Sequence, residues 1–114
     1  MSIKTEHQEW ADYLNDFNRR NKDRLTRVEL FDKAGVQEEA NHVPLSSITL
    51  ETQGENAPRV EIMLIDSSGS DVRHFTHTIT RVRRITPHLG KNNREDALEI
   101  EDAAGALTLM RFQS

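Results

Sequence analysis

The sequence predicts an α+β fold, with an N-terminal helix packed on a strongly bent antiparallel sheet or small open β-barrel of six to seven strands. Three observations predict it. Trp10, Tyr13, Leu14 and Phe17 recur at helical spacing near the start of the chain. From Leu25 onward the apolar period drops to two and stays there nearly to the C-terminus. Turn-forming runs, Asp66-Ser-Ser-Gly-Ser70 and Asp102-Ala-Ala-Gly105, interrupt that period at hairpin intervals.

The helix is expected over residues 5–20. Thr5 followed by Gln8 has the spacing of a capping box, in which each side chain satisfies the other residue's backbone N–H. Glu6 and Glu9 in the first turns and Arg19 and Arg20 in the last complement the helix dipole. Polar Asn18, Asn21, Lys22 and Asp23 then end the pattern. In the first strand Thr26, Val28 and Leu30 share a face. Gly35 turns the chain, and residues 36–41 read as a polar edge strand. Pro44 cannot donate to a ladder and is expected at a strand start or edge.

Ile48 and Leu50 mark a further short strand, and residues 53–58 a polar loop. Val60, Ile62 and Leu64 form the clearest buried face, while Met63 and Ile65 opposite make this strand central or covered by the helix. Residues 72–79 return from the Asp66–Ser70 loop, with residues 81–85 continuing the strand past a bend until Pro87 stops it. Residues 88–94 read as loop. Leu98 and Ile100 open a last hairpin that closes on the alternating run from Leu107 to Phe112.

The composition narrows the function classes. A chain of 114 residues with no repeat or linker is expected to form one domain, residues 1–114. It has no cysteine, so a disulfide framework, a thiolate metal site and a catalytic thiol are all ruled out. Residues 1–20 hold no apolar run resembling a signal peptide, and no segment is apolar enough for a membrane span, so a cytoplasmic protein is expected. A formal net charge of -4 opposes nucleic-acid binding, which draws its affinity from counterion release at a basic surface.

Candidate sites are few. His74 and His77 stand three apart, a chelating spacing on a helix but one that sends the rings to opposite faces of a strand. No metal site and no cofactor is therefore expected. His77 lies between Thr76 and Thr78, whose hydroxyls can fix its tautomer. Arg73, Arg81, Arg83 and Arg84 fall in a stretch without acids, and on one unbroken strand Arg73, His77, Arg81 and Arg83 would make an anion stripe. Phe75 and Ile79 share that parity and require burial, so a bend is expected to scatter the arginines, with Glu99 and Glu101 pairing them across the sheet.

The carboxylate pairs Glu38-Glu39, Glu95-Asp96 and Glu101-Asp102 read as solubilising groups. Serines at 46–47 and 67–70 lack the strand-to-helix turn of a nucleophile elbow, and Gly69, Gly90 and Gly105 are too dispersed to cradle phosphate. No catalytic residue is assigned.

The segments Trp10…Leu14…Phe17, Val28-Glu-Leu30, Pro44-Leu45, Glu61-Ile-Met-Leu64, Thr76-His-Thr-Ile79, Ala97-Leu-Glu-Ile-Glu101 and Gly105-Ala-Leu-Thr-Leu-Met-Arg-Phe112 occur in an order that resembles a family of small bacterial single-domain proteins of unknown function. The resemblance implies a small bacterial protein and brings no ligand or catalytic residue with it. The expected function is a non-catalytic protein-binding or accessory module, able to self-associate through a strand edge. The alternatives are anion or nucleic-acid binding through Arg73, His77, Arg81, Arg83 and Arg84, or an enzyme with His77 as general base.

Overall fold

The computed structural model describes residues 5–67 and 69–113. Helix α1 (Glu6–Asn21) precedes seven strands: β1 (Leu25–Asp32), β2 (Gly35–Glu51), β3 (Arg59–Asp66), β4 (Arg73–Ile79), β5 (Val82–Leu89), β6 (Glu95–Asp102) and β7 (Leu107–Phe112). Every strand pair is antiparallel, the order is β4-β3-β2-β1-β7-β6-β5, and the sheet does not close into a barrel.

The capping box forms as the spacing predicts. Thr5 Oγ1 accepts the Gln8 N–H at 3.2 Å, and Gln8 Oε1 accepts the Thr5 N–H at 2.8 Å. The helical stripe is buried on the sheet, with Phe17 at 0% and Leu14 at 2% exposure and Trp10 and Tyr13 flanking them. Phe17 stacks on Phe112 of β7, ring centroids 5.7 Å apart. Burial of each such side chain contributes on the order of 2 kcal/mol.

β2 departs most from expectation. Residues 36–41 form a polar edge as expected, pairing with β1 alone, but they begin a 17-residue strand that runs on to Glu51 and pairs there with β3. Its first part pairs with β1 up to Pro44 opposite Leu25, and its second part pairs with β3 from Leu45 opposite Leu64. Extra residues enter β2 between Val28 and its neighbours on β1 and again between Leu45 and Ser47, and His42 adopts φ +62°. Such bulges bend a strand and increase its twist. Pro44 therefore sits at a bend inside the strand, where one ladder hands over to the other.

The bend turns β2, β3 and β4 back over β1, β7 and β6. Val60, Ile62 and Leu64 face into the resulting interior with Val28, Ile48, Leu98, Ile100 and Met110, all essentially inaccessible to solvent. β7 buries Thr108, Met110 and Phe112 and turns Leu107 and Leu109 to the partly exposed outer face.

Where β2 leaves β1, its edge would be bare without α1. Asn18 covers it: the side-chain amide donates to Ile48 O at 2.8 Å, and its oxygen accepts the Ile48 N–H at 2.8 Å. Residues just after the helix continue this cover, with Asp23 N–H donating to Leu45 O and Leu45 N–H to Arg24 O. Asn18 thus acts as one residue of a neighbouring strand.

β4 and β5 are separate strands at opposite ends of the order, with no continuation of one into the other. The chain crosses between them at Arg81, whose φ is +50° and whose N–H donates to Asn56 O. Pro87 does not stop β5, which continues to Leu89; on an edge strand a missing N–H need not break a ladder. Of the Asp66–Ser70 loop, Ser68 lies outside the described residues.

Two substitutions test this packing. Ile62→Asp would place a carboxylate at a fully buried position opposite Ile48 and His77, at a cost of several kcal/mol, and should abolish cooperative melting followed by circular dichroism. Asn18→Ala should leave Ile48 unpaired at the covered edge and lower unfolding free energy in urea by about 1–3 kcal/mol.

Candidate functional site: a satisfied polar latch and an open strand edge

The densest polar cluster joins α1 to the start of β6. Glu95, expected to be a solvated turn residue, is 3% exposed instead. Its Oε2 accepts Arg20 Nη2 at 2.7 Å and its Oε1 accepts Arg20 Nε at 3.1 Å, a two-pronged pairing that suits the planar guanidinium. Asn21 Nδ2 also donates to Oε1, at 3.3 Å. Arg24 Nη1 donates to Asn21 Oδ1 and to the Glu95 carbonyl, both at 2.8 Å, and the Arg24 guanidinium lies 4.0 Å over the Phe112 ring.

The Arg20 hydrogen bonds are the main reason the Glu95 carboxyl titrates below its ordinary value of 4.5, in opposition to burial. Burial first, and the Glu95 charge second, push the Tyr13 phenol up to about 12, so it stays protonated with its hydroxyl 3.5 Å from Glu95 Oε2. Each charge in this cluster has a partner. It locks the helix to the sheet.

The residues predicted from sequence do not converge on one surface. Arg73 and His77 lie on β4, Arg83 and Arg84 on β5, and Arg81 in the crossing between them. The bend separates them, and Glu101 on β6 takes both β5 arginines, Arg83 at 3.2 Å and Arg84 at 3.6 Å. His77 stands opposite Ile62 and so faces the interior, where its Nε2 lies 3.2 Å from Thr108 Oγ1. Burial lowers its pKa below 6.5, against the opposing pull of the Glu39 carboxylate. The cleft it shares with Val28, Leu64, Phe75 and Glu39 has a volume of about 110 Å³. Among the described residues, no group of three or more histidines, aspartates and glutamates is placed to hold a metal ion.

The two ends of the sheet differ in kind. β5 carries Pro87, two arginines held by Glu101 and two register shifts against β6. β4, Arg-His-Phe-Thr-His-Thr-Ile, pairs with β3 over its full length without a shift and has neither proline nor lysine. The direction of its backbone groups follows from the far side of the sheet. Ile48 and Leu45 give their N–H groups to Asn18 and Arg24, so Ile62 and Leu64 opposite them turn their own backbone groups toward β4. His77 and Phe75 meet those groups. The N–H and C=O groups of His74, Thr76 and Thr78 therefore point outward from the sheet, and no other strand pairs with β4 among the described residues. Strand periodicity hinted at this edge, but strand order was needed to find it.

The latch has a pH signature. Because the folded Glu95 pKa is depressed, the stability it adds is complete above the unfolded value and is lost as pH falls through the folded one. Glu95→Gln should cost about 1–3 kcal/mol at neutral pH, the lower range for a buried pair because Arg20 is half in water. In urea titrations the gap between wild type and variant should shrink below pH 4.5; a gap independent of pH would contradict the assignment.

Among the described residues, no helix is long and apolar enough to cross a membrane. Neither a curated protein nor a solved structure matches the chain. A family of unknown function, DUF5335, matches it over residues 1–114, and with helix, strands and latch all inside that span the chain belongs to this family.

Proposed function

We propose that this chain is a non-catalytic, single-domain binding module of the bacterial cytoplasm that takes up an extended segment of a protein partner along β4. The outward row of backbone groups at His74, Thr76 and Thr78 carries the reading. A strand that offers unpaired N–H and C=O groups without proline, lysine or bulge is a template for β-strand addition, and folds ordinarily guard such edges. β5, at the other end of the same sheet, has those guards. The cytoplasmic setting fits a chain without cysteine.

The surroundings of His77 weigh against the general-base reading. The cleft at His77 is about 110 Å³, below the roughly 300 Å³ at which small-molecule sites begin. Glu95, whose carboxyl titrates below its ordinary value, is bound within the latch. Arg83 and Arg84 share Glu101, which weakens them as anion ligands.

Thr76→Pro separates binding from folding, since it removes an N–H that β3 does not use. Tagged wild type and Thr76→Pro should melt within a few degrees of each other. A partner purified on the wild type should lose at least tenfold in affinity for the variant, and should slow amide exchange at His74, Thr76 and Thr78 of the wild type. Equal affinity for both proteins would overturn the proposal.

A further inference from the structure

We infer that the segment received by β4 is the β4 strand of a second copy of this chain, paired antiparallel about a two-fold axis through Thr76. This rests on the strand-addition reading and names its partner.

The register follows from which groups are free. Only His74, Thr76 and Thr78 direct backbone groups outward, so a symmetric pair must match these three with their counterparts. Centring on Thr76 sets Thr76 against Thr76 of the other copy and His74 against Thr78. It uses every outward group and forms about six backbone hydrogen bonds, two for each matched pair. A shift of the centre by one residue leaves one outward residue on each copy unmatched.

The side chains agree with this register. On the outer face threonine meets threonine at the axis and histidine meets threonine on either side, and cross-strand Thr–Thr pairs are favourable. On the inner face Phe75 meets His77, and Arg73 meets Ile79. No like charges oppose one another. The two Arg73 residues stand about 20 Å apart along the strand, six residues at about 3.4 Å each, beyond the roughly 8 Å Debye length of physiological salt. β4 holds no acid, although the chain as a whole carries a net charge of -4, so no carboxylate of one β4 faces a carboxylate of the other. The joined structure is one sheet continuous through both copies, with a β5 edge guarded by Pro87 at each end.

The absence of native cysteine makes a geometric test direct. At the axis the two Thr76 Cα atoms would stand about 5.5 Å apart. The two Thr78 Cα atoms would stand about 14 Å apart along the strand. Full-length Thr76→Cys and Thr78→Cys are treated with a short bis-maleimide at about 0.1 mM protein, a concentration that populates pairs of micromolar affinity. Sedimentation of the untreated wild type and Thr76→Pro runs alongside.

The expected result is a cross-linked dimer from Thr76→Cys at least tenfold in excess of that from Thr78→Cys. The wild type should sediment at twice the 13.1 kDa chain mass, and Thr76→Pro at that mass. A dimer that persists in Thr76→Pro, or equal cross-linking of both variants, would overturn the inference by placing the interface elsewhere. A wild type that stays monomeric without cross-linking would overturn it too. The strand-addition reading would then be decided separately, by the affinity of another purified partner for wild type and Thr76→Pro.

Discussion

One strand serves two ladders, and the rest of the molecule follows from how it does so. β2 pairs with β1 over its first part and with β3 over its second, and the bulges around His42 and Pro44 supply the bend between them. That bend lays β3 and β4 over β1 and β7, which is why Ile62 and Met110 share a core and why His77 on β4 reaches Thr108 on β7. It also strips β2 of a neighbour at Leu45 and Ile48. An unpaired backbone group costs as much as a lost hydrogen bond when it is buried, so the helix must supply what the missing strand would have given.

Asn18 and the Glu95 latch divide that task. Asn18 completes the ladder at Ile48, while Arg20, Asn21 and Arg24 fix the end of the helix to β6. Between them Phe17 seals the apolar layer against Phe112. The helix is therefore both a lid on the core and a guard for one edge of the sheet. The second guarded edge is β5, and β4 is the exception. The free side of the first part of β2 is broken by the bulges opposite Val28, which leaves β4 regular and unprotected as the natural point of contact.

Much of this fold was legible in the residues. The helical stripe from Trp10 to Phe17, the capping box and the buried face of Val60, Ile62 and Leu64 follow from local spacing, and the pairing of the β5 arginines with Glu101 from the opposite charges of the two segments. Long-range pairings were hidden. Residues 36–41 read as an edge because they are polar on both faces, and they do pair with β1 alone; their continuation into the part of β2 that pairs with β3 was hidden, since alternation cannot reveal which neighbour a strand will take.

Glu95 was missed for a similar reason. A carboxylate beside an acid and after a polar loop reads as solvated, and its guanidinium partner lies 75 residues away in sequence. One signal was present: Asn21 follows Phe17 at the next helical turn, so the apolar stripe ends in a polar group that needs a partner inside. The open edge of β4 required the strand order itself.

Residue-resolved amide hydrogen exchange in dilute solution tests the central claim most directly, because it reads each backbone group in place. The account predicts slow exchange at Ile48, held by Asn18 where no strand adjoins it. Along β4 it predicts slow exchange at Phe75, His77 and Ile79 alternating with fast exchange at His74, Thr76 and Thr78. Fast exchange at Ile48, or a β4 alternation of the opposite phase, would contradict it.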